Sequence, residues 1–66
     1  MADSRGKPTY FAVYGRKRGT DEPWWRISRT VPGAWHVSLV AAKRAAKDFA
    51  KRYPNIEYKG ARDGVA

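Results

Sequence analysis

Apolar positions recur along the chain with two different periods. In Tyr10-Phe11-Ala12-Val13-Tyr14 the aromatic and β-branched residues alternate, which predicts a strand with Phe11 and Val13 on one face and Tyr10, Ala12 and Tyr14 on the other. Gly15 is expected to end it. Trp24 to Val31 alternates in the same way and predicts a second strand, with Trp25, Ile27 and Val31 inward, Arg29 on that side reaching solvent near an edge, and Trp24, Arg26 and Ser28 outward. Pro32-Gly33 suits a type II turn, and Ala34 to Val37 is a candidate short third strand. From Leu39 the period changes to that of a helix. Leu39, Ala42, Ala46, Phe49 and Tyr53 form one apolar stripe, widened by Ala45 and Ala50, with Ser38 as N-cap and Pro54 as the stop. Ile56 to Lys59 alternates again as a last strand.

These elements predict an α+β fold in which a small antiparallel sheet of three to four strands packs on one amphipathic helix, in the order β-β-(β)-α-β. One domain is expected from Tyr10 to Gly60. A polar leader, Met1 to Thr9, and a tail over residues 61–66 are expected to be flexible. The charged stretch from Arg16 to Pro23 reads as a long solvent-exposed hairpin loop.

Length and composition narrow the functions. A chain of 66 residues without cysteine has no disulfide, no thiol nucleophile and no cysteine-containing zinc site. A core of this size contributes about 3–5 kcal/mol of net stability, so a deep catalytic pocket is not expected. The carboxylates Asp3, Asp21, Glu22, Asp48, Glu57 and Asp63 are scattered over different segments, and His36 stands alone. No acid-base pair, metal set or nucleotide motif emerges, so the chain reads as non-enzymatic and without a cofactor. No signal-like or membrane-spanning apolar run occurs, which predicts a cytoplasmic protein and no membrane partner.

Charge points to a partner. Fourteen Lys and Arg oppose six Asp and Glu, for a net charge of +8. Lys43, Lys47 and Lys51 follow one another at i, i+4 and i+8, an arrangement that mildly destabilises a helix through repulsion, with Arg44 beside them. They serve either as a cationic rail for phosphates or as a solvated helix face. The outward sheet residues Tyr14, Trp24 and Arg26 offer a stacking platform for bases, with Arg16, Lys17 and Arg18 at its end as a basic finger. The same aromatics suit a protein interface, or simple cross-strand packing. The expected function is a small nucleic-acid-binding module with weak sequence preference; the alternative is a protein that engages an acidic surface of a host protein. The open sheet face also allows a homodimer.

The order of elements, an aromatic first strand from Tyr10 to Tyr14, a second strand, one helix from Leu39 to Tyr53 and a closing strand from Ile56 to Lys59, resembles the small host-modulating accessory proteins of bacteriophages. In layout it is similar to the phage-encoded inhibitors of bacterial RNA polymerase. The resemblance implies a host protein, such as the transcription or nucleic-acid-processing machinery, among the possible partners, and the host cytoplasm as the place of action. It carries over no functional residue, because no motif is shared. The strongly basic charge also departs from those inhibitors, which work through acidic residues.

Overall fold

A computed structural model describes residues 9–64. It contains β1 (Phe11–Lys17), β2 (Trp25–Arg26), β3 (Trp35–His36), α1 (Leu39–Arg52) and β4 (Ile56–Arg62), which form an α+β fold with one helix and a four-stranded antiparallel sheet. The leader, apart from Thr9, lies outside the described residues, as do residues 65 and 66.

β1 is the centre of the sheet. Along one side it pairs with all seven residues of β4, from Phe11 opposite Arg62 to Lys17 opposite Ile56. Along the other side it meets β2 and then β3, with Gly15 opposite Trp25 and Ala12 opposite Trp35. β3 and β4 are both antiparallel to β1 and lie on opposite sides of it, so α1 crosses over the sheet to join them.

β2 and β3 are two halves of one interrupted edge strand. The Val13 carbonyl accepts from the Ile27 N–H at 3.0 Å, and the Val13 N–H donates to the Ala34 carbonyl at 3.1 Å, so the chain leaves and rejoins the sheet opposite the same residue. The continuous strand expected from Trp24 to Val31 is therefore broken after Ile27. Local side-chain bonding explains the break: the Ser28 and Thr30 hydroxyls are 2.8 Å apart, and the Ser28 oxygen accepts from the Thr30 N–H, an arrangement that competes with the ladder. The excursion closes with the Val31 carbonyl accepting from the Ala34 N–H around Pro32 and Gly33, where Gly33 takes the positive φ of 85° expected of the turn. Val31, expected in the core, sits in this excursion and is exposed.

Two further strand boundaries differ from the sequence expectation. β1 does not stop at Gly15 but continues to Lys17. The Trp25 ring lies across Gly15, where a Cβ would come within 2.8 Å of it, so the cross-strand aromatic fills the place of the missing side chain. β4 runs on to Arg62 rather than fraying from Gly60. Beyond it, the Asp63 N–H still donates to the Tyr10 carbonyl at 2.9 Å.

The helix matches its sequence signals at both ends. The Ser38 hydroxyl accepts from the Ala41 N–H, and the Tyr53 N–H closes the last turn on the Phe49 carbonyl. Lys51 and Arg52 complement the dipole there. Its buried face is shorter than the stripe, however: Ala42, Ala46 and Phe49 are buried, whereas Leu39 is 38% and Tyr53 53% exposed. Small side chains bring the middle of the helix onto the sheet, and the two bulky end residues lie one turn beyond that contact. Val13, Ala34, Ala46 and Phe49 form the core, flanked by Ile27, Ala45 and Tyr58, with the Phe49 and Tyr58 ring centroids 5.4 Å apart.

Candidate nucleic-acid interface

Strand register assigns the sheet's outer face, the one away from α1. Tyr14 stands between Arg26 on β2 and Lys59 on β4, and Arg16 stands opposite Glu57. Ala12 lies beside Trp35. Aromatics and cations do share this face, as the alternation implied, but they are bound to one another.

Tyr14 is not available to a ligand. It is 4% exposed, and its hydroxyl donates to the Arg62 carbonyl at 3.2 Å while accepting from the Gly64 N–H at 2.9 Å. The chain after β4 thus closes over it, which corrects the expectation of a stacking tyrosine. Trp24 is half-buried, with the Arg16 guanidinium 4.4 Å and the Lys59 ammonium 4.6 Å from its ring centroid. Arg16 also donates from Nε to Glu57 at 3.0 Å. Trp35 stacks on Tyr10 at 4.2 Å between centroids, with Arg29 5.7 Å from its ring. Arg26 donates to Asp63, and that bond together with the carboxylate's charge raises its pKa further above the ordinary value. The centre of the sheet's outer face is accordingly covered, with Ala12 and Tyr14 both buried.

The basic finger is largely part of the fold. Arg16 and Lys17 belong to β1, and Lys17 is exposed at its end. Arg18 begins the loop, where its backbone N–H bonds Asn55 and its Nε donates to the Pro54 carbonyl at 2.7 Å. These bonds tie the loop to the turn between α1 and β4.

The helix cations are differently placed. Lys43, Arg44, Lys47 and Lys51 are all exposed. Among the described residues the ion pairs are Arg16 with Glu57 and Arg26 with Asp63, so no carboxylate neutralises the three lysines. Lys43 and Lys47 border an open groove of about 320 Å³ between α1 and β4, floored by Ala46, Ala50, Tyr58 and Gly60, with Lys59 at its rim. Arg44 belongs to the other flank of the helix, beside Asp48 and His36. The His36 ring nitrogen Nε2 faces the Gly33 carbonyl at 2.7 Å, so it carries the proton and donates.

Sequence reasoning missed Lys59 and Arg29 as members of the outer face. The alternation from Ile56 to Lys59 already placed Lys59 on the side opposite Tyr58; nothing in the sequence signalled that Arg29 would reach Trp35. Among the described residues no group of three His, Cys, Asp or Glu could hold a metal ion, and no helix is long and apolar enough to cross a membrane. Comparison with protein-family models, with curated proteins and with solved structures finds no match for this chain.

Proposed function

We propose that this protein is a non-enzymatic nucleic-acid-binding module that grips the phosphate backbone through the lysine flank of α1. The observation that carries this reading is the contrast between the two faces. On the sheet, the arginines at positions 16 and 26 are paired with carboxylates and the aromatics are engaged with one another or with cations. On the helix, Lys43, Lys47 and Lys51 stand in line, exposed and without a carboxylate partner among the described residues. Counterion release makes such free cations the source of affinity, and phosphate contacts carry no base information, so sequence preference is weak.

Because Tyr14 is buried and Trp24 already holds two cations, base stacking contributes little, and duplex is bound at least as well as single strand. The test is a salt titration of binding to labelled duplex and single-stranded DNA and RNA. Log affinity should fall linearly with log salt, and Lys43→Glu with Lys47→Glu should lower the slope by about 1.8, two phosphate contacts' worth. Binding that the double variant leaves intact would overturn the reading. No binding at physiological salt would also overturn it, and would leave the charge to an acidic protein partner.

A further inference from the structure

The hydrogen-bonding phase of β4 decides which of its backbone groups face outward. The Asp63 N–H bonds the Tyr10 carbonyl and the Arg18 N–H bonds the Asn55 carbonyl, so the odd-numbered residues from Asn55 to Asp63 direct their backbone groups toward β1. The opposite side of β1 agrees: Val13, between Ala12 and Tyr14, turns both its groups to the other edge. Ile56, Tyr58, Gly60 and Arg62 therefore point their N–H and C=O groups away from the sheet. The Ile56 N–H is used by the Tyr53 carbonyl, and the Arg62 carbonyl accepts from Tyr14. Left over are the N–H groups of Tyr58, Gly60 and Arg62 and the carbonyls of Ile56, Tyr58 and Gly60. Among the described residues no strand pairs with them.

A bare edge of this length is ordinarily blunted by a bulge, a proline, charged side chains or a covering element, and of the charges on β4 Glu57 is bonded to Arg16 and Lys59 is held over Trp24 on the outer face. β4 has no proline, and its pairing with β1 runs through all seven residues without a bulge. What lies along the edge instead is the groove bordered by Lys43 and Lys47, with Lys59 at its rim. Gly60 leaves the middle of the strand without a side chain.

We infer that the free edge of β4 takes up an extended acidic peptide segment of another protein by strand addition. Main-chain hydrogen bonds to Tyr58, Gly60 and Arg62 hold the segment, and its carboxylates face Lys43 and Lys47. The charge selects the occupant: a second copy of this chain would bring +8 against +8, whereas an acidic strand meets complementary charge. This interaction goes beyond the phosphate reading and does not depend on it, although an acidic segment and a nucleic acid would compete for Lys43 and Lys47.

The experiment uses the whole chain and two labelled peptides of equal charge, one alternating Glu and Val, the other of the same sequence with every backbone nitrogen methylated. The methylated peptide keeps the charge but has no N–H to donate to the strand edge. The first should bind saturably and slow amide hydrogen exchange at Tyr58, Gly60 and Arg62. The second should bind at least about tenfold more weakly, since each net main-chain hydrogen bond corresponds to about a factor of five. Arg62→Pro, compared with the equally uncharged Arg62→Gln, should weaken the Glu and Val peptide about fivefold while leaving duplex DNA affinity equal between the two variants. Equal binding of the two peptides, or no slowing of exchange along β4, would overturn the inference whatever the outcome with DNA. Loss of DNA binding alone would overturn only the phosphate reading.

Discussion

Gly60 and Ala42 meet backbone to backbone: a Cβ on Gly60 would lie 2.6 Å from the Ala42 carbonyl carbon and 2.7 Å from the Lys43 nitrogen. This approach seats α1 on β4 and holds Lys43 beside the strand edge. The obstacle is main chain on both sides, so it cannot rotate aside as a flexible side chain would. Gly60→Ala should therefore destabilise the fold by about 1–3 kcal/mol, more than the roughly 0.4–1 kcal/mol that restricting the unfolded chain returns. Urea denaturation of the two proteins checks this, and an unchanged midpoint would show that the helix can lift off at no cost.

The Tyr14 hydroxyl joins β1 to the chain after β4 through the Arg62 carbonyl and the Gly64 N–H. Tyr14→Phe keeps the ring and leaves both partners without it. The expected loss is about 1–2 kcal/mol, measured at equilibrium in denaturant, with faster amide exchange at Gly64.

Burial raises the pKa of Tyr58 above its ordinary 10.0, with a smaller contribution from the charge of Tyr53. The folded state thus holds this proton more tightly than the unfolded chain does. The resulting stability is fully present below pH 10 and is lost as pH rises through the folded-state value. Melting temperature measured from pH 8 upward should fall more steeply for the wild type than for Tyr58→Phe, in which that phenol is absent. Parallel curves would remove Tyr58 as the source.

Trp24→Ala separates stacking from phosphate binding. The substitution removes a half-buried ring that holds Arg16 and Lys59 against it. It should lower stability by about 1–3 kcal/mol, combining lost burial with two cation-π contacts. Affinity for duplex DNA should stay within about threefold, because Trp24 contributes no phosphate contact. A much larger loss of single-strand affinity in a folded variant would restore the stacking role read from the sequence.

The elements whose signals are local are legible in the sequence alone. Ser38, the alanine-rich stripe and Pro54 bound the helix to within one residue, because capping and the proline stop act over a single turn. Alternation likewise placed Val13 and Ile27 on the core side, and Arg26 and Trp24 away from it, since the side-chain period of a strand is two whatever its partner. The α+β class follows from the order of those segments.

Tertiary structure decided everything that depends on a partner distant in sequence. Whether Tyr14 is exposed depends on Arg62 and Gly64, 48 and 50 residues away, and the sequence by itself assigns those residues to a tail. The seven-residue pairing with β1 is what turns that tail into strand, because a chain end with weak local preference is ordered by the ladder it joins. The break after Ile27 likewise arises where hydroxyl bonds at Ser28 and Thr30 compete with that ladder. The sequence by itself determined that lysines line one flank of the helix. That this flank lies along a strand edge, that of β4, follows only from the order of strands about β1, because an edge is defined by which neighbour is missing.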